Sequence, residues 1–217
     1  MSKSLTLSKF SSSSSDFCSA SQKSYSIAVP SLGRIKKAKY SDKQGKSEKS
    51  ISKPSTLNGV TDHPERKTFG TIVLSSWVIR ALSNMGYTKP TQIQEKVIPL
   101  IQNGSDVVGQ AQTGTGKTAS FGIPMVELID RRNKKLEGLV LVPTRELAIQ
   151  VRDELALVGR FKGIRSVALY GGQAINRQLE NLERGANIVV ATPGRLMDHM
   201  DRRTINLDNL KIVVLDE

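Results

Sequence analysis

Five short runs rich in Val, Ile and Leu, at 107–110, 139–142, 167–170, 188–191 and 212–215, recur through the second half of the chain. Each is apolar on successive residues rather than on alternate ones. Such a run suits a strand covered on both faces, because a half-exposed strand would turn every second side chain to water. Helix-like stretches separate the runs. Leu147, Ala148, Val151, Leu155 and Val158 form one stripe; Ile175, Leu179 and Leu182 form another, closed by Gly185. Strands alternating with helices predict an α/β fold with a mainly parallel sheet flanked by helices on both faces. Ligands of such sheets bind at the carboxyl ends of the strands.

Upstream, Leu74, Trp77, Val78, Ala81, Leu82 and Met85 follow helical spacing up to Gly86, with Ser75 or Ser76 as the cap. A second apolar run, Ile93, Val97, Ile98 and Ile101, follows Pro90-Thr91 and ends at Gly104.

The first strand run leads directly into AQTGTGKT, residues 111–118, and then into another helix-like run. The pattern is close to G-x-x-x-x-G-K-[ST], a phosphate-cradling loop, with Ala111 in place of the first glycine. Gly114 and Gly116 let the backbone curl so that successive N–H groups face phosphate oxygens. Lys117 is placed to put its ammonium on the β- and γ-phosphates, and Thr118 its hydroxyl on Mg²⁺. The following helix adds the positive end of its dipole to the same anion site.

Composition bounds the rest. The chain has 217 residues and a formal net charge of +12. Residues 1–66 carry 12 Lys/Arg against 5 Asp/Glu, and residues 67–217 carry 20 against 15. A basic balance favours nucleic acid or another polyanion as partner. The one cysteine, Cys18, excludes an internal disulfide framework and reads as a bystander thiol. No stretch has the apolar length needed to span a bilayer. His63 and His199 lack metal-ligand spacing with partners and read as surface residues.

Residues 1–66 are rich in Ser and Lys, lack sustained apolar periodicity, and are expected to form a disordered tail ahead of a domain at 67–217. Three readings of the tail stay open. It adds RNA affinity through Lys36, Lys37, Lys39, Lys43 and Lys46; it is an organelle transit peptide; or it is inert. Arg34 is the only arginine among the first 50 residues, which weighs against the transit peptide and leaves a cytoplasmic protein as the expectation.

Further segments complete the pattern: GYTKPTQIQ at 86–94, with Phe69 seventeen residues before Gly86; PTRELA at 143–148; Gly171-Gly172; TPGR at 192–195; and Asp216-Glu217 after the last strand run. Taken in this order, they make residues 69–217 resemble the first RecA-like domain of the DEAD-box RNA helicases. The resemblance implies an ATP-dependent RNA helicase that uses ATP and Mg²⁺. It favours this over another P-loop NTPase, such as a DNA helicase or a transporter ATPase. GYTKPTQIQ then corresponds to the Q motif, with Gln94 holding the N6/N7 edge of adenine and Phe69 stacking on the ring. The implied ATP contacts are Phe69, Lys89, Gln94, Ala111, Gln112, Thr113, Gly114, Thr115, Gly116, Lys117 and Thr118. Asp216 would hold Mg²⁺ with Thr118, and Glu217 would orient the attacking water, giving Lys117, Asp216 and Glu217 the catalytic roles. Pro143, Thr144 and Arg145, Gly171 and Gly172, and Thr192, Pro193, Gly194 and Arg195 would contact the backbone of single-stranded RNA without sequence choice.

Against that family the chain stops inside motif II. The remaining Ala-Asp, the Ser-Ala-Thr motif, further strands and a second RecA-like domain, which supplies arginine fingers and half the RNA site, are implied in cis in a longer protein. The expectation for the 217-residue chain itself is an incomplete domain of marginal stability, with an unpaired strand edge, an uncovered apolar face and little or no ATPase. The alternative is a truncated, catalytically inactive ATP- and RNA-binding module.

Overall fold

Strands β1 (Lys3–Ser8), β4 (Val107–Ala111), β5 (Gly138–Leu141), β6 (Ser166–Leu169), β7 (Ile188–Ala191) and β8 (Ile212–Asp216) form one sheet in the order β4-β1-β8-β5-β7-β6. The computed structural model describes residues 3–8 as backbone, and residues 65–112 and 114–216 with their side chains. The described elements belong to a unit made of residues 1–12 and 62–217. β8, β5, β7 and β6 run parallel to one another. β1 lies antiparallel to both β4 and β8, so β4 and β8 point the same way as the rest. All the chain turns after β4 to β8 therefore open on one edge of the sheet.

The strand runs read from the sequence match the observed strands to within a residue at each end. Successive side chains of β5, β7 and β8 go to opposite faces; both faces are buried at β5 and β7, and at β8 up to Val214. Val140, Ile188, Val190, Ile212 and Val214 join the larger core. Leu139, Val189, Ala191 and Val213 join the smaller one, with Leu169 and Leu196.

The larger core packs under four helices: α1 (Ser76–Asn84), α2 (Gln92–Gln102), α3 (Lys117–Leu128) and α4 (Arg145–Gly159). The other face carries α6 (Pro193–Asp201), which contributes Leu196, and Leu182 of α5 (Ile175–Glu183). Helix α3 is enclosed on every side from Ala119 to Val126, which fixes its N-terminus rigidly. Gly122 lets α4 approach closely, since a Cβ there would lie 2.9 Å from Leu155 Cδ2. At its C-terminus, Lys162 Nζ donates to the carbonyls of Val126 (2.7 Å) and Glu127 (2.8 Å). A cation on those carbonyls complements the negative end of the helix dipole.

Two features differ from the sequence expectation. β2 (Arg66–Phe69) and β3 (Ile72–Ser75) form a separate antiparallel hairpin, so Leu74 is a strand residue and not the start of the α1 stripe. Ser75 flanks α1 but makes no side-chain cap; its N and Oγ donate to Glu127 Oε1 at 2.9 and 2.6 Å. Lys3–Ser8 falls within the expected disordered tail yet is an interior strand of the sheet. It pairs the inner edge of β8 that was expected to be open. The uncovered apolar face is present: Val108 is 73% exposed and Leu215 40%. Residues 9–64, with Cys18, His63 and the tail lysines, lie outside the described residues, as do Thr113 and Glu217.

Candidate functional site

The loop after β4 takes its shape from two glycines in the left-handed region, Gly114 (φ +82°) and Gly116 (φ +81°). Gly116 is the N-cap of α3. An L side chain would be strained at either. Inside the loop, Thr115 Oγ1 donates to the Gln112 carbonyl at 2.7 Å, and Ser120 Oγ donates to the Lys117 carbonyl at 2.6 Å. Lys117 Nζ is enclosed and has no hydrogen-bond partner among the described residues. A buried ammonium is costly unless an anion or acceptors meet it. The orphaned charge stands at the N-terminus of a rigid helix whose first N–H groups also lack intrahelical partners. The site thus fits phosphate.

The first turn of α2 holds this loop from outside. Thr91 Oγ1 donates to the Thr115 carbonyl at 3.0 Å, and Gln94 Nε2 to the Gly116 carbonyl at 3.2 Å. Gln94 Oε1 accepts from Thr91 N at 3.0 Å. Gln94 is fully buried, and a Cβ at Gly116 would collide with its Nε2. So the amide expected on an adenine edge is here a clamp between α2 and the loop. Phe69, expected to stack on adenine, is 5% exposed and packs in the larger core. The hairpin still meets the Q segment, because Gly70 lies against Pro90. Lys89 is exposed beside it. A cleft of about 480 Å³ opens along the outer side of the loop, lined by Thr91, Gln92, Ile93, Lys96, Ala111 and Thr115, among others.

Asp216 ends β8 and is 5% exposed. Its charge reaches Glu154 on α4, a residue that sequence reasoning did not single out. Burial raises the Glu154 carboxyl above its ordinary value; hydrogen bonds from Thr118 and Tyr87 oppose the rise, and Asp216 adds to it. Tyr87 Oη lies 3.5 Å from Glu154 Oε1, and burial, then Glu154, raise the phenol as well. The sequence signal for Glu154 was its place on the apolar stripe, three residues after Val151 and four before Val158. Thr118, Asp216 and Glu154 are hard oxygen donors, the set that suits Mg²⁺ beside phosphate.

The other expected contacts gather farther along the same edge, where β5, β7 and β6 are neighbours. Thr144 caps α4, its hydroxyl accepting from Leu147 N at 3.3 Å, and Pro143 and Arg145 are exposed. The Arg145 guanidinium lies over the Tyr170 ring at 5.5 Å, and Gly172 is its neighbour. Gly171 and Gly172 are exposed after β6; Thr192 is the N-cap of α6, with Pro193 and Gly194 exposed after it. The Arg195 side chain is 12% exposed, donates to the Gln173 carbonyl through Nη1 at 3.2 Å, and pairs with Asp198 at 3.6 Å. His199 is a correction: it is fully buried, not a surface residue. Its ring bonds Gln178 Oε1 and Thr204 Oγ1. Both His199 and Gln178 sit three residues after an apolar position on their helices (Leu196 and Ile175), the signal for an enclosed polar side chain.

The glycine-rich loop, the buried helix behind it and the acid at the tip of the parallel strand β8 define a RecA-like P-loop domain. The family model for DEAD/DEAH box helicases matches residues 91–217, and the chain belongs to that family. It is 51% identical over 150 residues to DEAD-box ATP-dependent RNA helicase CshA of Bacillus subtilis, covering 69% of this chain and 30% of the relative. ATP-dependent RNA helicase CshA of Listeria monocytogenes is 48% identical over 149 residues, with 29% of its length covered. The chain thus spans less than a third of the relatives it matches. A DEAD box protein from Methanococcus jannaschii superposes with a TM-score of 0.60 at 45% identity, covering 67% of this chain and 40% of that one. A Dbp5 variant of S. cerevisiae bound to RNA and ADP BeF3 superposes with a TM-score of 0.55 at 27% identity, covering 63% and 34%. Among the described residues no helix is long and apolar enough to cross a membrane.

Proposed function

We propose that this chain is the ATP- and RNA-holding part of an ATP-dependent RNA helicase. The enclosed, unpartnered Lys117 Nζ at the start of α3 carries the reading. Lys117 neutralises the β- and γ-phosphates, and the N–H groups of the 114–118 turn and first helical turn donate to their oxygens. Thr118 and Asp216 would hold Mg²⁺, which would supply neutralisation of the phosphate charge. Glu217 orients the attacking water. Gln94 acts on the nucleotide through the loop it clamps, so that the Q segment reports on loop shape.

RNA lies along the turns after β5, β6 and β7. Thr144 and Thr192 stand at helix N-termini whose free N–H groups suit phosphate, and Arg145 adds a forked cation. Contacts of this type read the backbone and not the bases. Hydrolysis, with its developing charge, is assigned to the longer protein, where a second RecA-like domain closes on the same edge.

Titration of Lys117→Ala with a fluorescent ATP analogue tests the reading. The variant is expected to bind roughly 10- to 100-fold more weakly, the loss of one charge-assisted contact. Its thermal midpoint should hold or rise, since an uncompensated buried charge is removed. Unchanged nucleotide affinity would sink the assignment.

A further inference from the structure

We propose that Gln178 and His199 are positioning residues that lock the Gly171-Gly172 turn to helix α6, so that two RNA-facing turns move as one body. The proposal rests on the RNA reading above.

The turn cannot hold itself. Gly171 and Gly172 have no side chains, and a Cβ at Gly171 would meet nothing within 4 Å. At Gly172, which sits at φ +83°, a Cβ would meet only Arg145 Nη1, at 3.6 Å. Packing therefore does not fix the turn, and its position is set from its two ends. Gln178 holds both ends: its Nε2 donates to the Tyr170 carbonyl at 2.9 Å and to Gln173 Oε1 at 3.1 Å. Reversing the amide would set its oxygen against the Tyr170 carbonyl oxygen, so that contact fixes its orientation.

With both amide protons committed, Gln178 Oε1 is left as an acceptor. His199 Nε2 lies 3.1 Å from it and must therefore carry a proton. In the neutral ring Nδ1 is then the acceptor; Thr204 Oγ1 lies 2.8 Å from it and 3.0 Å from the His199 carbonyl, with a single proton to give to one of the two. The proton on Nε2 follows from the Gln178 contact. Gln173 is the second tie, because its carbonyl accepts from Arg195 Nη1 at 3.2 Å. Two paths, Gln178–His199 and Gln173–Arg195, thus connect the turn after β6 to the helix that begins after β7. Gln178 and His199 are both fully buried, where a polar group without its partner is expensive, so the lock is stiff. Through Tyr170, whose ring lies under the Arg145 guanidinium, the same lock sets where that cation stands.

The test uses the 217-residue chain, fluorescein-labelled oligouridylate and a fluorescent ATP analogue. His199→Leu removes the donor, His199→Gln keeps an N–H donor, and Gln178→Glu keeps shape but cannot donate to Tyr170. RNA affinity is expected to fall about tenfold in His199→Leu and Gln178→Glu, and to stay within about threefold in His199→Gln. Affinity for the ATP analogue should stay within about twofold in all three. Nitrogen-15 spectra should show the Nε2–H tautomer of His199, and the Gly171 and Gly172 amide peaks should move in His199→Leu. Parental RNA affinity in both disrupted variants, rescue no better in His199→Gln than in His199→Leu, or an Nδ1–H tautomer would overturn the proposal. If the parent chain binds no oligouridylate, the RNA reading fails by itself. The lock is then decided by the amide peaks, and their staying in place rejects it. If His199→Leu does not fold, Gln178→Glu and the tautomer decide.

Discussion

Gln94 is enclosed between α2 and the phosphate loop, with its oxygen on Thr91 N and its nitrogen on the Gly116 carbonyl. On the reading proposed above, a clamp of this kind acts on the nucleotide through the phosphate loop. Gln94→Ala is therefore expected to weaken ATP and GTP binding by the same factor, roughly 3- to 10-fold for one lost hydrogen bond. Competition titrations read the ratio, and a loss confined to ATP would restore a direct adenine contact. His199 carries a pH prediction. Burial lowers its pKa from 6.5, Arg195 and Arg202 lower it further, and Asp198 opposes them. The unfolded histidine thus takes up its proton at a higher pH than the folded one. The folded state loses stability as pH falls below the unfolded value, by at most about 1.4 kcal/mol per unit, until the folded pKa is passed. Urea unfolding of the parent and His199→Gln between pH 8 and 5 should give a stability difference that is flat above about 7 and shrinks below it. A constant difference across the range refutes the assignment.

At the level of elements, the five parallel strands were legible because a strand buried on both faces leaves an unbroken apolar run. The β2–β3 hairpin was not, because Ile72, Val73 and Leu74 merge in sequence with the helical stripe that follows. The ion pair of Arg66 and the hydrogen bonds of Ser75 with Glu127 on α3, and the bond from Ser76 N to the Glu65 carbonyl, mark where strand gives way to helix. β1 was missed for a different reason. Leu5 and Leu7 alternate with Ser4, Thr6 and Ser8, a strand signal too short to stand out beside the Ser-rich segment that follows, and the pairing with residues a hundred or more positions away is a tertiary event. Leu5 pairs with Gly109 on one side and Asp216 on the other, so β1 ties the strand of the phosphate loop to the strand of the acid. Leu5→Pro removes a ladder donor and breaks that tie. Its expected cost is roughly 2–4 kcal/mol, for about two backbone groups left without partners. A urea midpoint unchanged from the parent would show that β1 does not hold the sheet together.

Across the whole molecule, the sheet is covered on both faces at β5 and β7 but not at its β4 end. Val108 and Leu215 both pair with Thr6 and so lie in one row across β4, β1 and β8. At 73% and 40% exposed they are two apolar side chains facing water, on either side of the Thr6 position. Exposed apolar side chains grouped in this way favour association. The chain is expected to self-associate as its concentration rises, and the double substitution Val108→Lys with Leu215→Lys to suppress this. Light scattering across a dilution series measures it, and equal scattering from both proteins would show that the two side chains are inert.

The sequence by itself determined the α/β architecture, the phosphate loop and the order of the segments around it. Periodicity and glycine placement are local properties that a chain displays before it folds. It did not determine which polar side chains would be enclosed. Gln94, Glu154, Gln178 and His199 became a clamp, a buried acid and a lock only when helices distant in sequence packed together. The strand between β4 and β8 was decided the same way. An amide or an acid is worth little in water; its role is set by which partners the fold brings within hydrogen-bond distance and how much solvent it excludes.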